Sequence, residues 1–298
     1  MKAFAQTKVI DIHSHWGERE DEHHTIPEFL ERLYEIADRN NVAKICISDP
    51  YHNGEGNERV KKLLDLDKRG LLIGFAFLRL GIDGEQQLRE AYSEGFRGMK
   101  VVWPIEDYSH PDYYPLYREA AELGMPILFH TGSVREIPRW YLIERYGTTA
   151  ISDHIREDVS GKMRPIHIGE IAARFPTLKL IGAHLGVEHT GEAVEQILSH
   201  ENVYFDITGD EEIQRNAMEI LAFYKGSSEY ARLSSRLLYG TDATSLGENG
   251  TKYSVIERLF DEYGIDDRTR KMLLFENSAG LLGLEKISKE VEGYGSGS

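Results

Sequence analysis

The chain has 298 residues, 41% of them hydrophobic, which is enough for a packed core in one large domain or two small ones. Its formal net charge of −15 argues against nucleic acid and an anionic membrane as partners, and no apolar run approaches the ~20 residues that span a bilayer. The single cysteine, Cys46, excludes an internal disulfide, and Met1–Phe4 lacks the apolar core of a signal peptide, so we expect a cytoplasmic protein.

Short apolar runs rich in β-branched residues recur along the chain. Continuous apolar runs, unlike alternating ones, are typical of strands that are covered on both faces. The runs predict eight strands, at Val9–Ile12, Ala43–Ser48, Leu71–Leu78, Phe96–Trp103, Pro126–Phe129, Leu178–Ala183, Val203–Ile207 and Leu237–Gly240.

Amphipathic segments lie between and after these strands. They predict helices at Ile26–Asn40, Asn57–Lys68, Glu85–Ser93, Tyr113–Leu123, Ile166–Phe175, Glu192–Ser199, Glu211–Phe223 and Lys252–Tyr263. Eight strand–helix units in a chain of this length predict an α/β fold, a (β/α)8 TIM barrel that forms a single domain over residues 1–284. Residues 285–298 end in a Gly/Ser-rich stretch and are expected to form a flexible tail.

Two of the predicted strand-to-helix loops are unusually long. They are Gly17–Thr25 after the first strand and Thr131–Pro165 after the fifth. Both leave the carboxyl ends of strands, the face on which barrel active sites lie. Long loops on a compact barrel are typical of lids and binding surfaces, so we expect these two to have a function.

Polar side chains that can bind metal follow four of the predicted strands. His13 and His15 follow the first strand and share a face because side chains two apart in a strand point the same way. His130, His184 and Asp242 follow the fifth, sixth and eighth strands. Any one of them alone could be an ordinary surface or structural residue. Together on one rim of a barrel they indicate a divalent metal site.

The ordered set of motifs resembles the amidohydrolase superfamily, and within it the amidohydrolase-2 branch, which includes aminocarboxymuconate semialdehyde decarboxylase-like enzymes. The resemblance covers most of the chain. It rests on Asp11–His15, Gly95–Lys100, Phe129–Gly132, Ala173–Gly186, Leu238–Asp242 and Asn277–Gly283.

The resemblance implies roles for the strand-end residues. His13, His15, His130 and Asp242 would bind the metal. Asp242 would also accept a proton from metal-bound water, or would hold the ion electrostatically. His184 would be catalytic beside a single metal or a ligand to a second one. Three imidazoles and a carboxylate suit Zn²⁺ best, with Mn²⁺, Fe²⁺ or Co²⁺ as alternatives.

Three functions agree with this pattern. The first is a metal-dependent hydrolase that activates a metal-bound water against an amide, lactone or ester of a small carboxylated molecule. The second is a non-oxidative decarboxylase that uses the same residues. The third is a barrel that has lost catalysis and acts as a binding protein. The substrate would be a small molecule, and, since relatives often dimerise, we expect a homodimer.

Other residues have more open roles. Lys100, near the end of the fourth strand, would be either a bridge between two metals or a charge inside the barrel, and Asp206 would orient a ligand from behind. Candidate substrate contacts are His52, Trp103, Arg135, Arg139 and Trp140. For His52 and the two arginines, a solvated surface position is the alternative.

Overall fold

A computed structural model describes residues 7–16, 24–52, 54–134, 137–147 and 158–284. Its eight strands are parallel, and each is hydrogen-bonded to the next in chain order. The strands are β1 (Val9–His15), β2 (Val42–Ser48), β3 (Leu72–Phe77), β4 (Gly98–Val101), β5 (Ile127–Phe129), β6 (Leu180–Gly182), β7 (Val203–Asp206) and β8 (Leu237–Leu238).

The sheet closes on itself between its first and last strands. The N–H of Ile12 donates to the carbonyl oxygen of Tyr239 at 3.1 Å, and the N–H of His15 donates to that of Ala243 at 2.9 Å. A sheet of eight parallel strands closed in this way is a (β/α)8 barrel. The predicted fold is therefore confirmed.

Helices surround the barrel. They are α1 (Ile26–Arg39), α2 (Gly56–Leu66), α3 (Glu85–Ser93), α4 (Tyr114–Leu123), α5 (Arg139–Tyr146), α6 (Pro165–Arg174), α7 (Thr190–Ser199), α8 (Glu211–Tyr224), α9 (Ser228–Ser234), α10 (Leu246–Glu262), α11 (Asp267–Lys271) and α12 (Asn277–Leu282). A π-helical turn over Met272–Glu276 joins the last two. Among the described residues, none of the helices is long and apolar enough to cross a membrane.

The first helix illustrates how the sequence sets these elements. Thr25 caps α1 with its hydroxyl oxygen, and the carboxylate of Glu28 accepts from the backbone N–H of Thr25, which satisfies donors that the helix leaves unpaired. Phe29, Leu30 and Leu33 lie on the side that packs against the barrel and are buried. The amphipathic pattern of α1 thus positions it over the outer face of the sheet.

The core has two layers. Side chains such as Cys46, Phe75, Leu128 and Ile181 form a small cluster within the barrel. A larger cluster lies between the strands and the helices. The barrel is therefore packed with apolar side chains, and the polar residues of interest lie toward the carboxyl ends of its strands.

Helices α9, α11 and α12 were not predicted from the sequence, and three further differences bear on the site. β1 continues through His15, because that residue pairs with Ser48 of β2. β4 is shorter than predicted, since Phe96 is bonded to the end of α3 and Trp103 turns out of the strand with φ +54°. The long loop after β5 contains a helix, α5, and a short 3-10 turn at Ser160–Met163. The predicted tail, 285–298, lies outside the described residues.

Candidate metal centre

Three possible ligand atoms converge where β1 meets the chain after β8. His13 Nε2 lies 3.0 Å from His15 Nε2 and 3.3 Å from Asp242 Oδ1, and His15 Nε2 lies 3.2 Å from the same oxygen. Ligand atoms bound to one tetrahedral Zn²⁺ lie about 3.4 Å apart, given metal–ligand distances of about 2.1 Å. The three atoms therefore have the mutual spacing of ligands that share one ion.

Neighbouring side chains orient both imidazoles toward that point. Asp206 Oδ2 lies 2.9 Å from His13 Nδ1, and Ser48 Oγ lies 3.0 Å from His15 Nδ1. An ionised carboxylate can only accept, so the Nδ1 of His13 carries the proton and its Nε2 has a free lone pair. A carboxylate behind a histidine in this way fixes the ring and raises its basicity toward a metal.

His184 and His130 form a second part of the site. His184 Nδ1 lies 2.9 Å from the hydroxyl oxygen of Thr208 and 3.3 Å from its carbonyl oxygen, which fixes the proton on Nδ1. His184 Nε2 lies 3.3 Å from His130 Nδ1 and 4.0 Å from Asp242 Oδ2. The Nε2 of His130 is buried and has no hydrogen-bond partner among the described residues. His130 therefore borders the centre through His184, with one lone pair available for a ligand.

The electrostatic environment keeps His13, Asp206 and Asp242 in the protonation states that favour metal binding. Burial, followed by the charge of Lys100, lowers the pKa of His13 to about 3, so its imidazole is neutral at physiological pH. Loss of solvent acts to raise the pKa of Asp206 and of Asp242. Contacts with His13 and His184 outweigh this and hold the pKa of both carboxyls below the usual range.

Two of the candidate metal-binding and catalytic residues have strained backbones. His184 has φ +56° and Asp242 has φ +49°, backbone angles that residues other than glycine rarely adopt. Such conformations cost about 1–3 kcal/mol each and persist only where surrounding contacts impose them. At Asp242 one such contact is the bond from its N–H to the carbonyl oxygen of His13, at 2.7 Å. Strain at two strand ends on the same rim of the barrel is typical of a functional site.

Lys100 lies inside the barrel, directly against the candidate ligands. Its Nζ is 2.9 Å from His13 Nε2, and the residue is 2% exposed. Burial lowers the pKa of Lys100 to about 8, although the charges of Asp242 and Asp206 act to raise it. The ammonium thus occupies the position of a charge within the barrel, which was one of its two predicted roles.

The buried charges around the centre match a divalent cation. Asp206 and Asp242 are ionised at neutral pH, and Asp11, whose pKa burial raises to about 6, is mostly ionised as well. In the metal-free protein, these three carboxylates and the protonated Lys100 together carry a charge of −2. Buried charges are costly unless they are paired, so a divalent cation would offset this excess of negative charge. Donor types, spacing and charge all fit such an ion.

The candidate substrate contacts do not form one group. His52 Nδ1 pairs with the buried Asp49 at 2.8 Å, and Trp140 Nε1 donates to the carbonyl oxygen of Tyr51 at 3.3 Å. His52 and Trp140 both line a cavity of about 230 Å³ between α2 and α3. Arg139 is exposed at the start of α5. Arg135 lies outside the described residues.

Trp103 is nearer to the candidate ligands. Its ring centroid lies 6.4 Å from that of Tyr51, which in turn lies 5.4 Å from the ring of His15. Trp103 is 3% exposed, and its indole N–H has no partner among the described residues.

Sequence reasoning missed two residues that orient the histidines, Ser48 and Thr208. Both lie at the carboxyl end of a strand, as the predicted ligands do. Ser48 is the last residue of β2, and Thr208 comes two residues after β7. A hydroxyl is a weaker signal than an imidazole or a carboxylate, because serine and threonine are common at strand ends for turn formation.

Nearly the whole chain matches the model of one protein family. The model described as amidohydrolase, of the amidohydrolase-2 type, matches residues 10–284. The chain belongs to the amidohydrolase-2 family. This confirms the resemblance inferred from the motifs, and membership in an enzyme family agrees with the arrangement of strand-end ligands. No curated protein matches this chain in sequence.

Solved structures of similar fold include several enzymes. One is a probable 2-pyrone-4,6-dicarboxylic acid hydrolase from Acinetobacter baumannii, with citric acid bound (14% identity, 92% of this chain and 99% of that one, TM-score 0.59). Another is a dihydroxybenzoic acid decarboxylase from a Polaromonas species, with manganese and the inhibitor 2-nitroresorcinol (16%, 94% and 98%, 0.58). A third is a 4-oxalomesaconate hydratase from Rhodopseudomonas palustris (14%, 96% and 98%, 0.60). At these identities, the likeness shows the fold that this amidohydrolase-2 chain shares with them.

Proposed function

We propose that this chain is a metal-dependent hydrolase that cleaves an amide, lactone or ester bond in a small carboxylated molecule. The observation that carries the proposal is the convergence of His13 Nε2, His15 Nε2 and Asp242 Oδ1, all within 3.3 Å of one another. They meet at the carboxyl end of the barrel, where barrel enzymes have their active sites.

The similar structures support the substrate class. Their names refer to a pyrone dicarboxylic acid, dihydroxybenzoic acid and oxalomesaconate, all of which are small carboxylic acids. They also include both a hydrolase and a decarboxylase, so the shared fold accommodates either reaction. Zn²⁺ is the ion that we propose, and Mn²⁺, which the decarboxylase contains, is the main alternative.

In this mechanism, His13, His15 and Asp242 would hold the cation, and His130 would be a further ligand. When bound, a divalent cation polarises a carbonyl oxygen and makes water more acidic. The Asp242 side chain is 25% exposed, so water can reach its carboxylate. Asp242 takes the proton from the water that attacks the carbonyl carbon and passes it to the leaving nitrogen or oxygen as that bond breaks.

His184 has a separate task. Thr208 holds its Nδ1–H, which leaves Nε2 facing Asp242 Oδ2 at 4.0 Å. From there a protonated His184 donates a hydrogen bond to the oxygen that becomes negative during the attack. The same Nε2 could instead deliver a proton to the carbon that loses CO₂. For this reason, and because a decarboxylase is among the similar structures, decarboxylation is the second candidate.

Metal content and a substrate panel test the proposal together. We expect about one equivalent of a transition metal in the purified protein and almost none in the His13→Ala/His15→Ala double variant, because two of the ligands are lost. A His110→Ala/His200→Ala double variant, which removes histidines from outside the centre, should keep its metal.

The panel contains lactones, amides, esters and hydroxybenzoic acids, each assayed for acid production and for CO₂ release. Acid production without CO₂ supports hydrolysis, and CO₂ release supports the second candidate. A protein that binds no transition metal after reconstitution would contradict both and favour the binding-protein alternative.

Trp103 gives a prediction about the substrate side of the site. An unpaired buried donor costs about 1–3 kcal/mol, so removing it in Trp103→Phe should offset part of the lost packing. We therefore expect the free energy of unfolding to change by only about 1 kcal/mol. We expect kcat/KM to fall about tenfold or more, because a substrate oxygen would lose the hydrogen bond that the indole N–H donates to it.

The matched control is Trp140→Phe, which removes an indole N–H that already has a protein partner. Denaturant unfolding and steady-state kinetics on the same preparations measure both quantities. A Trp103→Phe variant that is clearly destabilised but keeps the wild-type kcat/KM would show that Trp103 only packs.

A further inference from the structure

Asp11 is a fully buried carboxylate in the middle of β1, two residues before His13. Its Oδ1 accepts hydrogen bonds from the backbone N–H groups of His13, at 3.2 Å, and of Thr241, at 3.0 Å. Its Oδ2 accepts from the hydroxyls of Thr241, at 2.7 Å, and of Tyr253, at 3.0 Å. One side chain therefore binds four donors from three parts of the chain.

Two of these parts contain the candidate metal ligands. His13 is itself a candidate ligand, and Thr241 immediately precedes Asp242, whose φ is +49°. Asp11 makes two hydrogen bonds to Thr241, and the N–H of Asp242 donates to the carbonyl oxygen of His13. Asp11 thus joins the backbone on the two sides of the centre, and the bond between Asp242 and His13 joins them a second time. Such contacts are what a strained residue requires in order to persist.

The choice of an acid at this position also needs explanation. A carboxylate accepts at both oxygens, whereas an amide accepts at one only. Asp11 has no ion-pair partner among the described residues, so the fold keeps a buried negative charge there without a cationic side chain. Buried charges of this kind are costly, and a role that only filled space would be met by an apolar residue.

We propose that Asp11 is a positioning residue for the metal centre, which holds β1 and the Thr241–Asp242 segment in the arrangement that brings His13, His15 and Asp242 to one point. This inference rests on the metal centre of the proposed function. Asp11 does not itself contact the cation. It acts through the two backbone segments that it joins.

The test compares Zn²⁺ affinity in the full-length chain and its variants, measured by competition with a chromophoric chelator. Asp11→Ala removes all four hydrogen bonds, and we expect its Zn²⁺ affinity to fall by about 100-fold, the upper part of the range for residues behind metal ligands. In Asp11→Asn the amide oxygen can still accept from the two backbone N–H groups. The hydroxyls of Thr241 and Tyr253 can rotate to accept from its NH₂. We expect the Zn²⁺ affinity of Asp11→Asn to fall by about tenfold or less, because this variant loses the negative charge but keeps the hydrogen bonds.

Tyr253→Phe is the matched control, because it removes one bond to the same carboxylate from a helix that contains none of the candidate ligands. Its Zn²⁺ affinity should stay within about twofold of wild type. Denaturant unfolding of the metal-free proteins is measured alongside. A merely structural role for Asp11 would lower the free energy of unfolding without changing the Zn²⁺ affinity of the folded protein.

Each outcome decides the question. Wild-type affinity in folded Asp11→Ala would overturn the inference, as would equal losses in Asp11→Asn and Asp11→Ala, since charge alone would then account for the effect. If Asp11→Ala does not fold, Thr241→Val, which loses one of the two bonds between Asp11 and Thr241, replaces it. A several-fold loss supports the inference, and unchanged affinity contradicts it. Failure of the wild type to bind Zn²⁺ would instead contradict the proposed function.

Discussion

Replacement of Asp242 by asparagine is expected to lower kcat/KM by about 10³-fold or more, the largest effect of any single substitution in this chain. A lost general base costs about 10²–10⁴-fold, and the same change also weakens the metal site. In the proposed mechanism Asp242 has both roles, because its two oxygens face different groups. Oδ1 lies within 3.3 Å of two histidine Nε2 atoms, and Oδ2 lies 4.0 Å from that of His184.

Asp206→Asn is the variant that separates the two roles. Asp206 Oδ2 accepts a hydrogen bond from His13 Nδ1, and its Oδ1 accepts from the backbone N–H of His184. Asp206 therefore orients these two histidines without contacting the proposed ion. Its loss should weaken metal affinity by about 10–100-fold. Excess metal should therefore restore most of the activity of Asp206→Asn.

Excess metal should not restore the activity of Asp242→Asn, because the proton acceptor is missing even when the ion is bound. Steady-state kinetics across a metal titration, together with the metal content of each variant, measure this difference. If saturating metal returned Asp242→Asn to wild-type kcat/KM, Asp242 would be a ligand and nothing more, and another group would have to take the proton.

The fold was predictable because its signals are local. A run such as Leu71–Leu78 is apolar throughout, and strands buried on both faces require this composition wherever they occur. The end of β1 was harder to predict. His13 and His15 are polar and therefore resemble the start of a loop, yet the backbone continues to pair with β2 as far as His15 and Ser48. At an active site, function replaces the apolar residues on which strand prediction depends.

Helix α5 was missed for a different reason. Its position is fixed by long-range contacts, since Tyr141 donates to the carbonyl oxygen of Trp103 and Trp140 donates to that of Tyr51. A segment of eight residues has little helical stability of its own, so its local sequence gives a weak signal.

The types of residue at the centre were predictable, but their pairing was not. Each candidate follows a strand, and the carboxyl ends of the strands of a barrel meet on one rim. The contact between Asp206 and His13, however, joins residues 193 positions apart. It depends on the register of the strands and on which side chains point inward, neither of which the composition of a strand determines. The same holds for Lys100, whose depth in β4 decides whether it could bridge two ions or oppose one.

Lys100 should oppose metal binding, and its replacement by methionine is expected to increase metal affinity. The ammonium lies 2.9 Å from the nitrogen of His13 that would face the ion, so a bound divalent cation would force Lys100 to lose its proton or move. Burial lowers the pKa of Lys100 to about 8, so the free energy needed to remove its proton at neutral pH is small. At pH 7, neutralising a lysine of that pKa costs about 1.4 kcal/mol.

The pH dependence follows from this cost. Below pH 8 the metal-free protein carries the proton on Lys100, and metal binding releases it, so the wild-type affinity falls as the pH falls. Lys100→Met has no such proton to lose. We expect it to bind Zn²⁺ about tenfold more tightly than wild type at pH 7 and about 100-fold more tightly at pH 6, with almost no difference above pH 9.

Chelator competition at these three pH values measures the ratio of the two affinities. Taking the ratio removes the protonation of the ligands themselves, which both proteins share. The matched control is Lys179→Met, which removes a lysine whose Nζ donates to the carbonyl oxygen of Leu281, away from the candidate ligands. It should bind Zn²⁺ like wild type at every pH. A Lys100→Met variant that bound Zn²⁺ more weakly than wild type would show that Lys100 is itself a ligand, and the site would then be one for two ions bridged by this lysine.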